Sequence, residues 1–323
     1  MRQFNDTIRA VYGRTPTELR RRASPAHHVS GSRALTVRLS YRDPLDWDHL
    51  LGFLAARAVP GVEEIQRTSY RRTLRLPHGH GVVELSLDGR YIECGLELAD
   101  LRDLPAAVQR CRRLLDLDAD PNIPSAHLAR DPLLSPLVAE TPGLRVPRAV
   151  DGSELAIRAV LGQQVSVAAA RTTAGKLTVA LGDPLPASDG GLTHLFPSAH
   201  AIASADPAAL PGPVRSGQTL HALATALARE EIAIDPGSDR SEVRSQLMAI
   251  PGIGAWTSDY IAMRALGDPD AFLPTDLGVK RALAQLGRST APKDITDIAE
   301  QWRPWRAYAL QHLWATYPLG RKL

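Results

Sequence analysis

The stretch LMAIPGIGAWTSDYIAMRAL, Leu247 to Leu266, decides how the rest of the chain is read. Apolar residues recur at helical spacing on both sides of its PGIG centre. Pro251 stops the first helix after Ile250, because proline removes a backbone donor and its ring clashes with the preceding turn. Gly252 and Gly254 permit a tight hairpin with unusual backbone angles, and a second helix starts at once. The N–H groups of that helix start, together with those of the hairpin around Ile253 and Thr257, point at a common spot suited to a phosphate. The backbone carbonyls of Met248, Ile250 and Ile253 can hold a monovalent cation, sodium or potassium, bridging to that phosphate. A P-G-x-G turn taken alone is also an ordinary helix–helix connection; the flanking periodicity is what strengthens the phosphate reading.

Downstream, AFLPTDLGVKRAL (Ala271 to Leu283) holds one carboxylate, Asp276, between a Pro/Gly-containing loop and a new helical pattern. On the residues alone Asp276 is a helix cap, accepting bonds from free N–H groups at the positive end of the helix dipole.

The 323 residues suffice for two or three domains, and 44% hydrophobic with 23% charged is ordinary for a water-soluble globular chain. No apolar run is long enough to span a bilayer, and the polar start MRQFNDTIRA predicts no secretory leader. Cys94 and Cys111 form no C-x-x-C pair, which argues against zinc, iron–sulfur and disulfide frameworks and fits a reducing cytoplasm. The net charge of +3 is compatible with a phosphate partner without demanding one.

Residues 1–22 read as a helix with Phe4, Ile8 and Val11 on one face, then a turn at Gly13 and a short basic helix from Thr15-Pro16; 23–32 reads as a linker. From residue 33 the pattern alternates: ALTVRLSY, SYRRTLRLP and GVVELSLDGRYIECGLEL read as strands, with Asp88-Gly89 as a hairpin turn and DWDHLLGFLAARAV as a helix. An antiparallel sheet with one or two helices is the economical arrangement. Beyond about residue 100 the pattern is mostly helical, separated by Pro/Gly loops. The expected class is therefore α+β: an antiparallel sheet with helices over 33–115, then a mostly α-helical unit over 116–323 built around the hairpin.

Taken with DWDHLLGFLAARAV, AIRAVLGQQVSVAAA and QWRPWRAYALQHLW, the segment IPGIGAWTSDYIAMRALGDPDAFLPTDLGVKRAL resembles the helix-hairpin-helix DNA glycosylases, and among them the AlkA-type 3-methyladenine DNA glycosylases. The likeness runs from about residue 33 to the C-terminus with motif order kept. It implies a glycosylase that flips an alkylated base such as 3-methyladenine or 7-methylguanine out of double-stranded DNA and hydrolyses its N-glycosidic bond. It puts Asp276 at the catalytic carboxylate, whose charge would stabilise an oxocarbenium-like sugar; capping and catalysis are then compatible at one location. Family members that also cut the backbone carry a lysine two residues after the last hairpin glycine. Trp256 stands there, so the resemblance implies a monofunctional enzyme that leaves an abasic site.

The resemblance places Phe53, Trp256, Tyr260 and Trp314 around the flipped base, although each alone reads as core. Their electron-rich faces would attract the positive charge of an alkylated purine. It makes Gln163 and Gln164 a loop entering the minor groove, Gln164 being the wedge; on the residues alone they are a solvated helix end. Gly252, Ile253, Gly254 and Thr257 are the implied DNA-binding hairpin. No cofactor is implied beyond the structural cation, nor any membrane; a monomer in the bacterial cytoplasm, associated with the nucleoid, is expected. Residues 1–22 resemble the final helices of an AraC-type helix-turn-helix, as in fusions of the Ada type. The alternatives are a DNA-binding regulator with a retired site, and a glycosylase for oxidised or mispaired bases.

Overall fold

In the computed structural model, residues 34–316 are described; the helices expected within 1–22 and the linker at 23–32 lie outside them. The chain opens with an antiparallel five-stranded sheet of β1 (Ala34–Ser40), β2 (Glu63–Gln66), β3 (Ser69–Leu76), β4 (Gly79–Asp88) and β5 (Tyr91–Leu98), in the order β1-β5-β4-β3-β2. Asp88 pairs with Tyr91, so the hairpin turns at Gly89-Arg90, with Gly89 at φ +60°, one residue beyond the Asp88-Gly89 turn that the sequence suggests. Alternation brings Val37, Cys94 and Leu85 into one cross-strand row. That face is covered by α1 (Trp47–Arg57), through Trp47, Leu50 and Leu54, and by α2 (Leu104–Leu114), through Ala107, Val108, Cys111 and Leu114.

The helical part follows as α3 (Asn122–Leu128), α4 (Ser135–Glu140), α5 (Gly152–Leu161), α6 (Val167–Leu181), α7 (Ala199–Ala203), α8 (Val214–Ala228), α9 (Arg240–Met248), α10 (Ala255–Arg264), α11 (Leu277–Gln285), α12 (Pro292–Ala299) and α13 (Arg306–Ala315). Its core gathers Leu155, Ile157, Leu220, Leu223, Leu247, Ile261, Val279 and Leu310. Trp302 is fully buried there, its indole N–H donating to Asp131 Oδ2 at 2.6 Å. Among the described residues no helix is long and apolar enough to cross a membrane.

Two elements depart from the periodicity. A small hairpin, β6 (Pro184–Asp189) and β7 (Leu192–His194), interrupts the helical region. β6 carries two prolines and is mostly exposed, β7 has three residues, and tertiary docking holds them: Thr73 Oγ1 donates to His194 O at 2.9 Å, and Arg71 pairs with Asp189. β3 is consequently buried on both faces, which is why Arg71, Arg72 and Thr73 lie inside. The helical pattern beyond residue 100 breaks at Gly162–Ser166; Gln164 adopts φ +57°, and Ser166 caps α6 by accepting from Ala169 N.

The sheet and the helical part are joined by a buried ion network. Arg72 pairs with Glu63 at 3.3 Å and with Glu154 at 2.7 Å, while Arg158 pairs with Glu63 at 3.0 Å and with Glu154 at 2.9 Å. Tyr70 donates its hydroxyl to Glu63 as well. Breaking such a network at one member leaves an uncompensated buried charge, which costs several kcal/mol, of order 3–5. The network therefore fixes β2 and β3 against α5, and Arg158 also donates to Arg57 O, at the end of α1, at 2.7 Å.

Candidate active site

Trp256, Tyr260 and Arg264 are spaced by four residues along α10 and so share one face. Trp256 and Tyr260 stack with centroids 5.3 Å apart and ring planes within 6°. Phe53 of α1 and Trp314 of α13 form a second near-parallel pair, 6.4 Å apart at 23°. The four aromatic residues thus come from three helices, one on the sheet side and two on the helical side.

Asp276 sits at the N-cap of α11, Oδ1 accepting from Val279 N at 3.0 Å, so the cap reading of its sequence holds. The same oxygen accepts the indole N–H of Trp314 at 2.9 Å, and Oδ2 accepts that of Trp256 at 3.1 Å. Two tryptophans therefore grip one carboxylate edge-on, and its direction is set by three N–H donors. Charge-assisted hydrogen bonds of this kind are about twice as strong as neutral ones. Gly278 makes room for the grip: a Cβ there would lie 2.9 Å from Trp314 Cδ1 and 3.0 Å from Asp276 Oδ1.

Two arginines absent from the sequence reading line the same region. Phe53 carries the guanidinium of Arg57 with Cζ 3.7 Å from the ring centroid and that of Arg264 at 4.7 Å. Arg264 also lies 5.6 Å from the Tyr260 ring centroid and donates to the Tyr260 hydroxyl at 2.8 Å. Among the described residues neither guanidinium forms an ion pair with a carboxylate; the nearby Glu63 and Glu154 are engaged by Arg72 and Arg158. Burial pushes Arg57 down to about 10. Burial by itself would raise the Tyr260 phenol, but Arg264 and Arg57 beside it outweigh that and hold it below its ordinary value. The sequence reading gave Phe53 and Tyr260 electron-rich faces that attract a cationic base; in the structure protein cations lie against both rings. The signal was present in sequence as Arg57 four residues after Phe53 and Arg264 four after Tyr260, the i,i+4 spacing that shares a helix face.

In the hairpin, Gly252 takes φ +93°, and a Cβ there would fall 2.1 Å from Thr219 Oγ1. Glycine is required on both counts. Gly254 corrects the expectation of unusual angles at both glycines: its φ is −104° in an extended N-cap, and a Cβ would meet nothing within 4 Å. The Ser258 N–H donates to Gly254 O at 3.0 Å. The N–H groups ahead of it, in the first turn of α10, have no intrahelical carbonyl partner one turn back. The Ile253 N–H instead closes the turn onto Ile250 O at 3.0 Å, and the Ile253 side chain is buried. Of the three carbonyls read as cation ligands, those of Met248, Ile250 and Ile253, that of Ile250 thus already accepts one hydrogen bond. The Thr257 side chain is buried and accepts from Gln163 Nε2 at 2.9 Å; Gln164, next in the chain, is exposed.

Comparison with known proteins gives this arrangement a lineage. Residues 36–151 match the AlkA N-terminal domain. A probable bifunctional transcriptional activator/DNA repair enzyme AlkA from Mycobacterium tuberculosis is 48% identical over 318 residues, covering 98% of this chain; the chain spans 64% of that relative's length. DNA-3-methyladenine glycosylase 2 of Escherichia coli is 36% identical over 283 residues, 86% of this chain and 96% of the relative. The solved 3-methyladenine DNA-glycosylase of Archaeoglobus fulgidus shares the fold, with TM-score 0.74 at 22% identity over 86% of this chain and 96% of that one. Being 36% identical to the Escherichia coli glycosylase along 96% of that relative, and carrying the AlkA N-terminal domain over residues 36–151, the chain belongs to the AlkA family of DNA-3-methyladenine glycosylases.

Proposed function

We propose that the chain is a monofunctional DNA glycosylase that releases alkylated bases from double-stranded DNA in base excision repair. The observation that carries this reading is the Asp276 carboxylate, fixed by the indole N–H groups of Trp256 and Trp314 and by Val279 N beside two aromatic stacks. In the proposed mechanism the hairpin N–H groups take a phosphate, the Gln164 loop enters the minor groove, and the flipped base lies among Phe53, Trp256, Tyr260 and Trp314. As the C1′–N bond lengthens, positive charge grows on the sugar and the base leaves with the bonding electrons. A preorganised carboxylate stabilises that charge without reorganising. Water then attacks C1′, and its proton is lost to solvent or to Asp276. Trp256 offers no amine for a Schiff base.

The support for dividing the chain into 33–115 and 116–323 is the pair of apolar cores, one under the sheet and one among the helices, with Val59 and Val62 joining the helical core and Leu117 and Val150 the sheet core. Since the substrate would be chromosomal DNA, the proposed location is the bacterial nucleoid.

The test is release of methylated bases from alkylated duplex DNA by the purified chain and by Asp276→Asn. The expected loss in the variant is at least about a hundredfold, the scale of one aimed charge in a dry site. Borohydride should trap no protein–DNA adduct. Near-parental turnover by Asp276→Asn would overturn the assignment, and a trapped adduct would overturn the monofunctional reading. DNA binding with no base release would favour a regulatory protein with a retired site.

A further inference from the structure

The loop between α5 and α6 and the hairpin between α9 and α10 are far apart in sequence but joined by one side chain. Gln163 Nε2 donates to Gly252 O at 2.9 Å, across 89 residues, and to Thr257 Oγ1 at 2.9 Å. A carbonyl accepts only, so the nitrogen end of the amide is the end that faces Gly252. Both N–H groups of the amide are thereby engaged inside the protein. From the α8 side Thr219 Oγ1 donates to Pro251 O at 2.9 Å. Two adjacent carbonyls of the hairpin are thus each met by a side chain from a separate segment, the Thr219 hydroxyl lying closer to Pro251 O than to Arg215 O, 3.2 Å away in its own helix. The residue after the pin, Gln164, is exposed with φ +57°, and Val165 and Val167 beyond it are 46% and 41% exposed.

We propose that Gln163 is a positioning residue that couples phosphate capture at the hairpin to insertion of the Gln164–Val165 loop, so that both occur as one rigid event. The inference rests on the reading of the chain as a base-flipping enzyme. Its physical basis is entropic. A loop free to move relative to the hairpin would have to be ordered on every encounter, whereas a doubly bonded one is held in register beforehand. It also explains why a left-handed, strained residue persists at an exposed site: the hydrogen bonds of its neighbour hold the backbone there.

The experiment is a double-mutant cycle with Gln163→Ala, Gln164→Ala and the pair. Two readouts are used on a duplex with a single 7-methylguanine: the unstacking of an adjacent 2-aminopurine, followed by fluorescence, and single-turnover base release. Gln163→Ala should slow duplex unstacking about tenfold, the scale of two lost hydrogen bonds with compensation from water. The double variant should be no slower than the slower single one, the non-additivity expected of residues that act as a unit. Release from the matching single strand should fall by a smaller factor, which also shows that the variant is folded. Gln163→Glu, which keeps the size but sets an acceptor against Gly252 O, should behave like Gln163→Ala. Multiplying effects in the cycle, or equal losses on duplex and single strand, would overturn the coupling. Unstacking is read whether or not a base is released, so absent release would count against the proposed activity alone.

Discussion

Trp314 donates its indole N–H to Asp276 Oδ1 at 2.9 Å, and the ring that makes this bond is the one stacked on Phe53. One side chain therefore serves as a wall of the aromatic site and as a rein on the carboxylate. Trp314→Phe separates the two duties, since it keeps an aromatic ring and deletes the donor. Base release in single turnover should fall roughly tenfold to a hundredfold, the range for a hydrogen bond to a charged group. Binding to undamaged duplex should change little. An unchanged release rate would mean that the Trp256 and Val279 bonds suffice to aim Asp276.

The two hairpin glycines should respond differently to alanine. At Gly252 the left-handed backbone and the 2.1 Å approach to Thr219 Oγ1 act together. Gly252→Ala should lower thermal stability by about 1–3 kcal/mol and weaken binding to damaged and undamaged duplex alike. Gly254→Ala places its Cβ in open space on an extended backbone, and its thermal unfolding should match the parent within about 0.5 kcal/mol. Equal destabilisation by both would contradict the hairpin geometry.

Arg57 should set which bases the site favours. Its guanidinium covers Phe53 and repels a base that carries positive charge. Arg57→Met keeps a flexible side chain there and removes the charge. The ratio of 7-methylguanine release to hypoxanthine release should rise several-fold, in line with a cation–π face becoming available, worth about 1 kcal/mol. A constant ratio would show that Arg57 acts on both bases equally.

His312 should give the fold a pH dependence. It is buried on α13, its Nδ1 2.8 Å from Thr141 Oγ1; burial, with His49 adding to it, holds its pKa down to about 4 from an ordinary 6.5. Between those values the unfolded chain binds more protons, so stability rises with pH across the window. The contribution is complete above about pH 6.5 and disappears as pH falls through 4, a total of about 3 kcal/mol. His312→Gln, which does not titrate, should lose less melting temperature than the parent between pH 7 and pH 4. Parallel curves for the two proteins would place the acid sensitivity elsewhere.

Local sequence determined much of this protein. The alternation in ALTVRLSY and around Asp88-Gly89 specified strands and their turn, because a two-residue period permits only one face to be buried. PGIG specified a hairpin, and Asp276 a cap, because Pro251, Gly252 and an N-terminal carboxylate act on backbone groups a few residues away. Such interactions are complete within a short window and need no partner from elsewhere in the chain.

Only the tertiary structure decided the rest. That Trp256 and Trp314 meet at one carboxylate depends on where α10 and α13 lie relative to α11, and nothing in either helix encodes its neighbour's position. The β6–β7 hairpin exists as sheet because β3 receives it. Gly254 and Gly252 look alike in sequence, yet only Gly252 faces Thr219. Arg57 beside Phe53 is legible in their shared helix; that Arg264 of α10 also reaches the Phe53 ring, and that Glu63 and Glu154 engage Arg72 and Arg158 and not these two guanidiniums, depends on how the helices pack. Electrostatic character at a buried site is a sum over groups from distant segments, and that sum takes a value only after the chain has folded around it.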